Sequence, residues 1–259
     1  MPLFHYVSCF IAEAIGEMHL DVASILNNLA ELYQSQGRYK EAEPLYKRAL
    51  KIREQQLGKD HPLVALSLNN LAGIYRVQGY YGEAEPLYKQ SLEIRERQLS
   101  ANHPDVAQSL NNLAVLYREQ GRYAEAKPLC ERSLAIREQQ LGKDHPLTAQ
   151  SLNNLALLYQ LQERYAEAEP LLLRALSIYE QQLGEMHPDV ALSLKNLALL
   201  YALQGRYREA EPLYARALRI SEERLGIAHP TTMMIRQNYA DCLKIMTSSF
   251  FTSNSLFQD

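Results

Sequence analysis

Six of the seven histidines, His19, His61, His103, His145, His187 and His229, return every 42 residues, and a periodic row of imidazoles is the first feature here that could do chemistry. A shared metal site is excluded by geometry. Equivalent atoms in successive stacked units stand at least a helix diameter apart, roughly 10 Å, whereas zinc ligands all lie about 2 Å from one ion. Each of these histidines precedes a proline or, once, Leu20 at the start of an apolar-periodic segment, so a linker and capping role is expected instead. Cys9, Cys130 and Cys242 are odd in number and lack metal or redox spacing, which fits a reducing compartment. Cys130 stands where Tyr46 and Tyr88 stand in neighbouring units and reads as a core thiol rather than a nucleophile. No Gly-rich phosphate loop, nucleophile elbow or H-E-x-x-H is present, and the serines and carboxylates recur with the period instead of forming an isolated cluster. Neither an enzyme nor a cofactor is expected.

The asparagines are the more promising polar residues. Asn27, Asn69, Asn111 and Asn153 recur at 42 residues and are followed by Lys195, and each has a neighbour in Asn28, Asn70, Asn112, Asn154 and Asn196. A carboxamide offers donor and acceptor together, so a row of them can clamp the backbone of an extended peptide without reading its side chains. On this reading the first Asn of each pair, with Arg76 and Arg118, faces a groove. The second lies nearer the helix interface.

What must position these residues is a stack of repeats. Tyr33, Tyr75, Tyr117, Tyr159 and Tyr201 and then Pro44, Pro86, Pro128, Pro170 and Pro212 keep the same interval, and a fixed period of this length means units that bury their apolar faces only against neighbours. In Pro62 to Gln78, Leu68, Leu71, Ala72 and Tyr75 form one helical stripe. Pro62 suits the first helical position and Gly79 a left-handed closing residue. A second helix follows the Gly79-Tyr80 turn through Ala84, Leu87, Tyr88, Ser91, Leu92 and Leu99. Pro86 lies in its first turns, which predicts a fuzzy start. Glu163 replaces the closing glycine once, at a cost of up to about 1 kcal/mol if that backbone is left-handed.

The predicted organisation is a partial second helix at 1–19, five repeats at 20–61, 62–103, 104–145, 146–187 and 188–229, a capping helix at 230–246 and an irregular tail at 247–259. Pro2, Leu3, Phe4, Phe10 and Gly16 align with Pro44, Leu45, Tyr46, Ile52 and Gly58, so the apolar opening belongs to a repeat and not to a signal peptide. The net charge of -3 has no long run of either sign behind it, which points away from nucleic acid. No apolar run reaches the roughly 20 residues of a membrane span, and a cytoplasmic protein is expected.

The pattern N-L-A-x-x-Y-x-x-Q-G-x-Y-x-E-A-x-P-L, with Leu71, Ala72, Tyr75, Gly79, Tyr81, Ala84, Tyr88 and Leu92 on signature positions, resembles a tetratricopeptide repeat over Leu20 to Lys244. The segment IREQQLGKDHP at Ile52–Pro62 and Ile136–Pro146 is similar to the linker of kinesin light chains. That resemblance implies an all-α fold, a right-handed superhelical solenoid of antiparallel helix pairs, whose concave groove binds an extended, mildly acidic peptide through asparagines matching those above. No heptad coil of the motor-binding kind stands before the repeats in this sequence, so a motor partner is not implied. Similar arrays also accompany signalling ATPase or protease domains, and a sensor or self-association module of such a protein is the alternative. Open array ends further predict weak end-to-end or swapped self-association.

Overall fold

The structure, a computed structural model, describes residues 18–255, with side chains up to 247. It contains α-helices and no strands among the described residues. They are α1 (Leu20–Ser35), α2 (Tyr39–Leu57), α3 (Pro62–Val77), α4 (Tyr81–Gln98), α5 (Pro104–Glu119), α6 (Tyr123–Leu141), α7 (Pro146–Leu161), α8 (Tyr165–Leu183), α9 (Pro188–Leu203), α10 (Tyr207–Leu225) and α11 (Pro230–Ser255). Odd and even helices form successive antiparallel pairs. Residues up to Ile136 make one compact unit and those from Arg137 a second. None of the helices is long and apolar enough to cross a membrane. The partial helix expected at 1–19 falls, up to residue 17, outside the described residues.

The histidines begin the odd helices. The Nδ1 atoms of His19, His61, His103, His145, His187 and His229 each accept the backbone N–H two residues on, at 3.1 to 3.2 Å. That is the bond an N-cap serine or aspartate would make to a helix-end amide that has no partner within the helix. Prolines 62, 104, 146 and 188 then fill the first helical position.

At the other end, Gly79 sits at φ 80°, its N–H bonding to Arg76 O at 3.0 Å and that of Tyr80 to Tyr75 O at 2.8 Å. This two-bond closure needs a left-handed residue. Glu163 adopts the same closure at φ 59°, with its own N–H on Gln160 O and that of Arg164 on Tyr159 O. Glu163→Gly is therefore expected to raise stability by about 1 kcal/mol, seen as a higher urea midpoint at unchanged m-value.

The even helices start sharply at Tyr39, Tyr81, Tyr123, Tyr165 and Tyr207, contrary to the fuzzy start the proline suggests. Proline is the sixth helical residue and forfeits one bond only. The start is fixed from outside the helix. Arg38, Arg122, Arg164 and Arg206 lie 3.9 to 4.5 Å over the rings of Tyr33, Tyr117, Tyr159 and Tyr201 and pair with Glu41, Glu125, Glu167 and Glu209 in the following turn. These four turns are thereby clamped between a cation–π contact and an ion pair, and at the fifth Tyr80 packs edge-on against Tyr75. Ser100 occupies the place of Gly58, Gly142, Gly184 and Gly226, whose φ values run from 82° to 96°. There α4 stops a residue early, with Leu99 extended at φ −116°.

The expected end of α11 at 246 does not occur. Thr247 stands where Gly37, Gly79, Gly121 and Gly205 close other odd helices, and α11 continues to Ser255. The irregular tail is thus helical over 247–255, and 256–259 fall outside the described residues.

Within each pair, alanines let the helices approach. Val22, Ala23 and Leu26 of α1 meet Ala49 and Ile52 of α2. Tyr46 then carries the core onward to Leu71 and Ile74 of α3. The even helices also bury cations. Arg53 Nη1 donates to Ser67 Oγ at 2.8 Å, Arg95 Nη1 to Ser109 Oγ and Asp105 O at 2.8 Å each, and Arg137 Nη1 to Ser151 Oγ at 2.9 Å and Leu147 O at 2.8 Å. Arg137 is 1% exposed, and burial pushes its guanidinium down to about 10. At neutral pH it remains a buried cation, fastening α6 to α7.

Candidate functional site

The face of interest is carried by the odd helices. In the first unit the asparagines are bonded chiefly to each other. Asn70 Nδ2 donates to Asn27 Oδ1 at 3.0 Å and to Glu31 Oε1 at 3.2 Å, while Asn27 Nδ2 donates to the same Glu31 oxygen at 2.8 Å. One repeat on, Asn112 Nδ2 donates to Asn69 Oδ1 at 2.8 Å, and Gln108 Nε2 to Asn112 Oδ1 at 2.9 Å. In α3 and α5 the second Asn therefore reaches back to the first Asn of the repeat before it.

This reverses the expected order of burial. Asn27, Asn111 and Asn153 are the buried members, whereas Asn28 is exposed and Asn70, Asn112 and Asn154 are half-buried. The first row acts at the contact between odd helices, where an unpaired carboxamide would be costly, and the second row borders solvent. Asn69 is half-buried, and at the last position the order changes: Lys195 is half-buried and Asn196 buried. Periodicity gave the row, but could not give the sense of its hydrogen bonds.

The arginines are less available than their charge implies. Arg76 forms an ion pair with Glu119. Arg118 is half-buried, its Nη1 has no hydrogen-bond acceptor, and burial lowers its basicity. Both lie against the following even helix: Arg76 reaches Tyr88 and Arg118 the Cys130 region, as Gln34 accepts from Tyr46 Oη at 3.0 Å. Cys130 itself is 4% exposed, and burial pushes its thiol up to about 11. That leaves a neutral core thiol.

In the second unit the same face turns apolar. Leu161, Leu192 and Leu203 are exposed, and Leu157, Leu199 and Ala202 are half-buried beside them. Asn153 hydrogen-bonds to Tyr179. Gln160, at the position equivalent to Arg76 and Arg118, is buried and its Oε1 has no donor. Among the described residues, no three His, Cys, Asp or Glu side chains come together as metal ligands.

The odd helices thus carry carboxamides bonded between neighbouring helices in the first unit and exposed leucines in the second. The tetratricopeptide repeat family model matches residues 21–97, 63–129, 105–181, 147–223 and 189–246. Among solved structures, the nearly identical TPR-like repeats of a kinesin light chain candidate from Podosopora anserina share 30% identity at a TM-score of 0.63, over 79% of this chain and 97% of that one. BtubC (BKLC) from P. vanneervenii shares 28% identity at a TM-score of 0.69, over 87% and 89%. A Rap protein complexed with competence and sporulation factor shares the fold at 16% identity, with a TM-score of 0.67 over 87% and 64%. No curated protein matches the chain.

Proposed function

Because this chain belongs to the tetratricopeptide repeat family, whose arrays serve as protein-interaction scaffolds, we propose that it binds an extended peptide along the face of its odd helices. The observation that carries this reading is the leucine row. Leu161, Leu192 and Leu203 are 50%, 37% and 51% exposed, although the opposite stripe of the same helices, with Leu152, Leu155, Leu194 and Leu197, already fills the core. An extended segment has apolar side chains with which to cover those leucines of the second unit.

The electrostatic preference is for acid, and it is small. Glu119 pairs with Arg76, and the half-buried Arg118 in the first unit and Lys195 in the second add positive charge.

The chain contains no tryptophan, so a Trp-containing peptide reports its own binding by fluorescence. Titration of an acidic, Trp-containing peptide is expected to saturate. Leu203→Asp, at an exposed position, is expected to weaken binding roughly tenfold, and Arg118→Gln less so. Binding indifferent to both substitutions would move the site elsewhere. An unbound peptide would remove the groove reading while leaving the fold intact.

A further inference from the structure

On the odd-helix face of the first unit, one carboxylate is held in place by amides and has no counter-ion of its own. Glu31 of α1 stands at the helical position that Gly73, Val115, Leu157 and Leu199 occupy in the four odd helices that follow. Its surroundings orient it. Asn27 Nδ2, one turn back on the same helix, donates to Glu31 Oε1 at 2.8 Å, and Asn70 Nδ2 reaches the same oxygen from α3 at 3.2 Å. Asn27 is 5% exposed and its Oδ1 accepts from Asn70 at 3.0 Å, so the two donors also fix each other. The carboxylate they hold is exposed. A charge oriented in advance meets an incoming counter-ion without the loss of side-chain freedom that makes most surface ion pairs weak.

Nothing in the array neutralises it directly. Glu43, Glu85 and Glu119 pair with Lys47, Lys89 and Arg76, whereas among the described residues no Lys or Arg forms an ion pair with Glu31. Arg53 feels its field, but that guanidinium is 4% exposed and donates to Ser67 Oγ and Leu63 O. Both amide bonds fall on Oε1, which leaves Oε2 to take a charge-assisted bond.

Gly73 gives this spot its room. It lies on α3 one turn on from Asn70, whose amide touches Glu31. Glycine inside a helix is unfavourable, and packing does not demand it here: a Cβ added at Gly73 would meet Tyr88 Oη at 3.6 Å, an ordinary contact. The effect of the glycine is to leave the face beside Glu31 without a side chain.

We infer, on the basis of the peptide reading above, that this notch seats a lysine or arginine side chain of the bound peptide, with Glu31 as its counter-ion. The mild preference for acid set by Arg118 and Lys195 belongs to α5 and α9, and the part of the peptide lying over α1 and α3 carries a base.

An arginine scan tests this: each residue of the acidic, Trp-containing peptide is replaced in turn by arginine. At one position, or two neighbouring ones, affinity should rise roughly fivefold, and the gain should fade with added salt. Glu31→Gln keeps a side-chain oxygen for the two amides but no charge, and should abolish that gain. Gly73→Leu should abolish it too, by filling the notch, with circular dichroism unchanged. A flat scan while the parent peptide binds, or a gain that survives Glu31→Gln, overturns the cation seat alone. Failure of every peptide in the set to bind overturns it together with the peptide reading.

Discussion

Arg137→Ala is expected to destabilise the second unit by about 3 kcal/mol, measured by urea denaturation followed by far-UV circular dichroism. The figure combines the lost packing of a fully buried aliphatic stem with the desolvation cost of leaving the Ser151 hydroxyl and the Leu147 carbonyl without their donor. A hydrogen-bond origin makes a sharper demand. Arg137→Met combined with Ser151→Ala removes charge and partner together while keeping most of the volume, and should come within about 1 kcal/mol of the parent, since a buried cation carries its own desolvation penalty. The array supplies the control. Tyr179 occupies the next equivalent position, and the Oγ of Ser193, which would be its partner, is buried without a hydrogen bond. Ser193→Ala should therefore be neutral or slightly stabilising where Ser151→Ala is costly. Equal losses at the two serines would show that the arginine bond contributes nothing.

Leu110→Ala should cost about 3 kcal/mol, because Leu110 is 0% exposed within a cluster of Val106, Ala107 and Ile136, with Leu92 and Leu129 against it. Where that loss is felt distinguishes a stacked array from a globular domain. Each pair is supported by its neighbours alone, so stability is close to a sum of local and nearest-neighbour contributions. Amide exchange should accelerate first in α5 and in the part of α6 packed on it, ahead of α1 and α11. A uniform loss of protection along the whole chain would show a single cooperative unit instead.

Much of this architecture was legible from letter types alone. Pro62, Gly79 and His61 mark helix ends through backbone requirements that no other part of the chain can alter, and the expected first helix, Pro62 to Gln78, differs from α3 by one residue. The left-handed Glu163 was legible for the same reason. Three features depended on tertiary partners. Arg53, Arg95 and Arg137 look like solvated charges near a helix end, yet each has a serine fourteen residues on, at Ser67, Ser109 and Ser151, and that paired recurrence was the available signal. The row of Asn27, Asn111 and Asn153 is visible in the sequence but its burial is not, because two adjacent carboxamides on a helix differ only in which packed helix each one faces. The extension of α11 follows from Thr247 in the place of a closing glycine, whose consequence is continuation of the helix.

The closure at Glu163 also bears on how the chain would respond to tension. When a series of helical hairpins is pulled from its two termini, load passes through each hairpin in turn, and the hairpin with the lowest barrier yields first. The turn between α7 and α8 is closed by a residue that resists its own backbone geometry, whereas four equivalent turns are closed by glycine. Stretched by its ends, this molecule should lengthen in steps of one hairpin, and the step that frees α7 from α8 should come at the lowest force.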